Sequence, residues 1–206
     1  MDFVRDYLKQ TAAIAERLDA AAVDRLAAAL ARVRERGGRL FVLGVGGGAG
    51  HASHAVADFR KLAGLEAYAP TDNAAELTAR INDDGWEDSV AAWLAGSRLG
   101  ERDAVLVFSV GGGDAARRVS VNLVKAVDYA RSVGATVCGV VGRDGGHTAR
   151  VGDAVVLVPT VDAERVTPHT EAFQAVIWHL LVTHPALAVT KGRWESLGDG
   201  TQERAK

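Results

Sequence analysis

Apolar residues recur at helical spacing over residues 3–17 and 19–36, the second run opening behind Asp19, a residue type that caps helix N-termini. Glycine in "ERGG" closes that run, and the pattern then changes period: "RLFVLGV" is continuously apolar, as a strand buried on both faces must be. Four further stretches read as strands, at residues 65–70, 103–110, 135–141 and 153–159. Between the strands, amphipathic segments predict helices near 48–63, 86–97, 119–133 and 166–182. Apolar strands alternating with helices predict a three-layer α/β architecture, a five-stranded parallel sheet covered on both faces. The expected organisation is one domain: a helical pair at 1–37, the α/β core at 38–195 and a polar tail at 196–206.

Composition narrows the partners more than the fold. The 206 residues are 48% hydrophobic and 24% charged with a formal net charge of −2, which argues against a dedicated nucleic-acid binder. No apolar run reaches the ~18 to 20 residues of a membrane span. The start "MDFVRDYLKQ" lacks the basic and apolar regions of a signal peptide. Cys138 is the only cysteine, so no internal disulfide is expected, and a buried small hydrophobe in a cytoplasmic protein is.

In a parallel sheet ligands bind beyond the carboxyl ends of the strands, where the strand order reverses. Three strands end in glycine there: "GVGGGAG", "SVGGGDAARRVS" and "VGRDGGHT". Glycine lets the chain turn sharply and bring backbone N–H groups to an anion at the next helix N-terminus, although such turns contain glycine for structural reasons too. Gly44, Gly46 and Ala49 fit the G-x-G-x-x-A variant of the dinucleotide fingerprint, but no acidic residue ends the second strand; Pro70 stands there, with Asp72 beyond it. Behind the first turn, "HASHAVADF" places His54 and Asp58 at i, i+4 on one helix face, a spacing suited to metal binding or proton transfer. His51 is the weaker candidate of the two histidines. In "TPHTEAFQAVIWHLLVTHP", Glu171 and His179 are eight apart, hence roughly 80° round a helix and about 12 Å along it. Spacing alone does not make that pair a metal site. His169 and Gln174 are further polar residues of that helix.

In this order, "LGVGGGAGHASHAVADF", "NDDGW", "SVGGGDAARRVSVNLVKA" and "TPHTEAFQAVIWHLLVTHP" resemble the SIS-domain phosphosugar isomerases, and among them the phosphoheptose isomerases, over nearly the whole chain. The resemblance implies a flavodoxin-like sheet, a homotetramer with active sites between subunits, and bound zinc. It implies interconversion of sedoheptulose 7-phosphate and D-glycero-D-manno-heptose 7-phosphate.

Carried over by position, Gly44, Gly46 and Gly47 match the first phosphate loop, Val45 replaces its asparagine, and Gly48 replaces its phosphate-binding serine. His54 matches the metal histidine, and Asp58 stands for the catalytic glutamate, one methylene shorter. Asp83 takes the active-site aspartate position, beside Asn82. Ser109 and Ser120 become the phosphate ligands in an expanded second loop, with Asn122 beyond them. Glu171 and His179 take the glutamine and histidine positions of the last helix. The implied roles are therefore Asp58, His179 and Asp83 in catalysis; Gly46, Gly47, Gly48, Asn82, Ser109, Ser120, Asn122 and Glu171 on substrate; and His54, Asp58, Glu171 and His179 on a divalent metal. The rival expectation is a non-catalytic SIS protein that binds a sugar phosphate or a protein partner, as a replication-initiation-associated relative does.

Overall fold

The structure, a computed structural model, describes residues 2–193; the expected tail at 196–206 and the core boundary at 195 lie outside them. Two helices open the chain, α1 (Phe3–Arg17) and α2 (Ala20–Glu35). Each starts on an aspartate whose carboxylate accepts a backbone N–H of the first turn: Asp2 from Arg5 at 3.4 Å and Asp19 from Ala22 at 3.1 Å. There follow β1 (Arg39–Gly44), α3 (Gly47–Leu62), β2 (Glu66–Tyr68), α4 (Ala74–Asp84), α5 (Ser89–Gly96), β3 (Ala104–Ser109) and α6 (Val121–Ser132). The chain continues through β4 (Thr136–Val141), α7 (Gly146–Val151), β5 (Ala154–Leu157) and α8 (Val166–Thr183). The five strands form one all-parallel sheet in the order β2-β1-β3-β4-β5. The order reverses at β1, which has β2 on one side and β3 on the other, so the ligand crevice belongs beyond the ends of β1 and β3.

Successive strand residues feed opposite cores, as a pleated strand covered on both sides requires. Leu40, Val42, Leu106, Phe108 and Val140 pack with Leu26 and Leu30 of α2, Phe59 of α3, and Ile177 and Trp178 of α8. Their neighbours Phe41, Leu43, Val105, Val107 and Val137 pack with Trp93 of α5 and Leu123 and Val127 of α6. Each large apolar side chain fully removed from water in this way contributes about 1.5–3 kcal/mol. Cys138 belongs to the first core, and burial pushes its thiol up to about 12, so it is a packing residue without thiolate reactivity at neutral pH. Among the described residues no helix is long and apolar enough to cross a membrane.

Two helices lie outside the pattern that the sequence displays. The segment expected as one helix near 86–97 is preceded by α4, capped by the Asn73 side chain on the Glu76 N–H at 3.2 Å. Helix α4 buries no residue fully, and its apolar stripe is only Leu77 and Ile81, both half-buried, too little to stand out in the sequence. Helix α7 spans only 6 residues and begins on glycine, too short for helical periodicity to register.

Candidate active site at the strand ends

The turn after β1 is held by contacts that exclude side chains. Gly46 caps α3 with φ 59 and ψ −124, a region that costs a β-carbon dearly. A Cβ on Gly48 would stand 2.5 Å from the carbonyl oxygen of Phe108, so α3 approaches β3 only because residue 48 has no side chain. The Gly48 N–H is committed to the Val45 carbonyl at 3.1 Å. Gly47 faces the Glu171 carboxylate, within 2.5 Å of where its Cβ would lie.

Further along α3, the i, i+4 pair meets α8. His54 Nε2 and His179 Nε2 each lie 3.5 Å from Asp58 Oδ2. The three candidate ligand atoms are all within 4.8 Å of one another, the one such His/Cys/Asp/Glu trio among the described residues. Trp178, buried against Phe108, donates its indole N–H to Asp58 Oδ2 at 3.1 Å. The Ala175 carbonyl lies 2.8 Å from His179 Nδ1; with Nδ1–H donating there, the Nε2 lone pair is left toward Asp58. Glu171 is not in this trio. Eight residues of helix separate it from His179 by about 12 Å along the axis, and its carboxylate lies over Gly47 instead. His51 is also apart, its Nδ1 3.0 Å from Oε1 of the fully buried Gln174 and its ring against Trp178.

Beyond β3 and β4 opens a cavity of about 430 Å³, whose wall includes Gly48, Ser109, Ser120, Glu171 and Gln174. Ser109 Oγ accepts the Gly112 N–H at 3.0 Å, which leaves its hydroxyl proton for another acceptor. The glycines of "VGGGD" pack backbone to backbone with those of "RDGGH". A Cβ on Gly112 would fall 1.9 Å from the Gly145 carbonyl oxygen, and one on Gly146 2.1 Å from that of Gly111. The His147 and Thr148 N–H groups donate to the Gly113 and Gly112 carbonyls, both at 2.9 Å. Ser120 holds the N-cap of α6 in the left-handed region at φ 50. Asn122 is buried in the first turn of α6, and neither atom of its amide has a hydrogen-bond partner among the described residues.

Asn82 and Asp83 sit elsewhere. They are exposed in the last turn of α4, joined by a 2.8 Å hydrogen bond from the Asn82 amide, and belong neither to the cavity wall nor to the trio. Reading the sequence for glycine and hydroxyls missed Arg117, Arg143 and Arg150, which also line the cavity. The signal was present in "ARRV" and "GRDGGHTAR", which put four arginines, Arg117, Arg118, Arg143 and Arg150, in the segments that follow β3 and β4.

A family model for the SIS domain matches residues 6–142. A phosphoheptose isomerase from Geotalea daltonii is 35% identical over 168 residues, covering 79% of each chain. This chain belongs to the SIS-domain family, among its phosphoheptose isomerases. It is also 33% identical over 156 residues to the lincomycin biosynthesis protein LmbN of Streptomyces lincolnensis, covering 70% of this chain but only 54% of that one. Among solved structures, phosphoheptose isomerase GmhA from Neisseria gonorrhoeae superposes with TM-score 0.75 at 23% identity over 88% of this chain and 96% of that one, a likeness of fold.

Proposed function

We propose that this SIS-domain chain is an aldose–ketose isomerase of phosphosugars, interconverting sedoheptulose 7-phosphate and D-glycero-D-manno-heptose 7-phosphate. The observation that carries the reading is the trio His54, Asp58 and His179, in a chain 35% identical to a phosphoheptose isomerase. A non-catalytic binding protein would need no such trio.

Moving a hydrogen between adjacent carbons needs a base, an electrophile at the carbonyl oxygen and an anchor for the remote phosphate. Asp58 is the base. All of its contacts from Trp178, His54 and His179 fall on Oδ2, so the carboxylate is held in place while Oδ1 remains to take the proton from one carbon and return it to the next. His179 has only Nε2 for this work, since Nδ1 faces the Ala175 carbonyl: without an ion it exchanges the hydroxyl proton, and with one it serves as a ligand instead. Two imidazoles and a carboxylate within 4.8 Å fit a divalent ion, zinc first, with His54, Asp58 and His179 as its holders. Bound there, such an ion would supply a Lewis acid that polarises the carbonyl oxygen. Glu171 and Gln174 orient the sugar from the cavity wall, and Ser109 and Ser120 meet its phosphate. Gln174 joins the two halves: it borders the cavity and bonds His51, whose ring packs on the tryptophan that holds Asp58.

In this reading the protein is a cytoplasmic homotetramer, and Asn82 and Asp83, remote from their own cavity, serve the site of a neighbouring subunit. Purified protein incubated with sedoheptulose 7-phosphate should form the aldose, and a chelator should stop it. Absence of aldose with every divalent metal supplied would refute the assignment.

A further inference from the structure

Three features of the cavity call for an account. The first is Gly48, where the phosphoheptose isomerases that the sequence resembles carry a phosphate-binding serine. The serine does not fit this packing, because its Cβ would stand 2.5 Å from the Phe108 carbonyl oxygen. A hydroxyl ligand has therefore been lost, and restoring it would force α3 away from β3. The second is charge. Arg143 and Arg150 border the cavity, and neither side chain has an ion-pair or hydrogen-bond partner among the described residues, while the three carboxylates of the same wall are each engaged: Asp114 beside Arg117, Asp144 accepting the Gly146 N–H at 3.2 Å, and Glu171 over Gly47. The Arg117 guanidinium, on the facing loop, has a 3.7 Å contact to Asp114, whose carboxylate also accepts the Arg117 backbone N–H at 3.0 Å. The third is strain. Of the four non-glycine residues with positive φ among the described residues, Arg118, Ser120 and Arg143 lie on the two loops that close this cavity, at φ 53, 50 and 53. Each such residue costs of order 1–3 kcal/mol, and persists where the surrounding structure imposes it, as at ligand sites. The strained backbone at Arg143 carries its side chain across the β3 loop, with Cδ 3.7 Å from where a Cβ on Gly111 would lie.

We infer that Arg143 and Arg150 form a guanidinium clamp for a phosphomonoester dianion in this cavity, assisted by Ser109 and Ser120, in place of the hydroxyl that Gly48 has given up. Guanidinium groups suit this role because they stay charged and their planar forks match phosphate oxygens in pairs. The interlocked glycine loops put the two arginines on one rigid wall, Arg143 just beyond β4 and Arg150 one helix later on α7. The clamp rests on the isomerase reading only for the name of its ligand, and it can be tested without turnover.

The probe is inorganic phosphate, titrated calorimetrically into wild type, R143Q, R150Q, the double variant and the double lysine variant. Both arginines are exposed, so unchanged melting temperatures should certify the folds. The clamp predicts saturable binding by the wild type that weakens with added salt. Loss of two charge-assisted contacts should weaken it by about tenfold or more in R143Q/R150Q, with partial recovery in the lysine variant. If the wild type shows no saturable binding, or the glutamine variants bind as it does, the clamp is overturned. Should the wild type isomerise a phosphosugar while the variants keep phosphate affinity, the clamp falls and the isomerase stands. Should the variants lose phosphate affinity while the wild type isomerises nothing, the clamp stands and the isomerase falls.

Discussion

The chain writes G-G-G twice after a strand, and the two copies do different work. At residues 46–48 the glycines start a helix: Gly46 caps α3, Gly47 makes room for Glu171, and Gly48 lets α3 rest on the Phe108 carbonyl. At residues 111–113 they meet another loop, packing against the glycines of "RDGGH" so closely that the Gly112 and Gly113 carbonyls accept N–H groups of α7. Identical triplets thus serve one site that shapes a ligand turn and one that fixes a wall. What separates them is which neighbour occupies the space of the missing side chain.

Alanine at Gly112 should do the most damage. Its Cβ would meet the Gly145 carbonyl at 1.9 Å in a backbone at φ 67, so backbone must yield to backbone. A loss above about 4 kcal/mol, seen as failure to accumulate folded protein, is expected. A folded, normally stable G112A would erase the distinction between the loops. Serine at Gly48 should cost less, about 1–3 kcal/mol in chemical denaturation, since α3 can shift on β3. That variant should gain no phosphate affinity despite its new hydroxyl; tighter phosphate binding would show that the turn accepts the serine after all. Alanine at Gly47 should be milder still, under about 1 kcal/mol, because its Cβ meets only the end of the flexible Glu171 side chain. Its signature belongs in KM, through the displaced Glu171.

Much of this was legible in the sequence, for a physical reason. The central strands β1, β3 and β4 carry continuous apolar runs because both sheet faces are covered there, whereas the edge strand β2 is Glu-Ala-Tyr with only Ala67 buried; His54 and Asp58 share a helix face because four residues make about one turn. The third member of the trio, His179, was reached only through the family's pattern, since helix spacing on α8 could not tell it from Glu171. The structure divides them, His179 to Asp58 and Glu171 to Gly47. Trp178 went unseen as the holder of Asp58 because 120 residues separate the two, and an indole in an apolar helix reads as core. Arg143 stands beside a glycine whose turn signal masks it, Arg150 sits on a helix too short to register, and exposed arginines are ordinary in either setting. Asn82 and Asp83 were placed by motif, and within the single chain they stand apart from both halves of the site.

A subtler effect is expected far from either loop, and it calibrates the rest. His169 on α8 stacks on Tyr7 at 4.4 Å, and its Nε2 lies 2.9 Å from Gln10 Oε1, docking α1 on the core. Burial first, then the Arg165 charge, lowers its pKa from 6.5, against a smaller opposing pull from Asp162. A depressed folded value means that its contribution to stability is complete above pH 6.5 and is lost as pH falls through the folded value. Wild-type stability should therefore decline below that pH more steeply than that of H169Q; parallel profiles would show that the histidine does not titrate against the fold.

Everything proposed for the chemistry turns on Asp58 and His179, which α3 and α8 bring together to move the proton of an aldose–ketose isomerisation. Turnover of sedoheptulose 7-phosphate by D58A and H179A, each compared with wild type at equal folded concentration, decides the matter. Each variant should lose at least about 100-fold in kcat with its melting temperature little changed. Turnover left intact in both would mean that neither residue moves the proton.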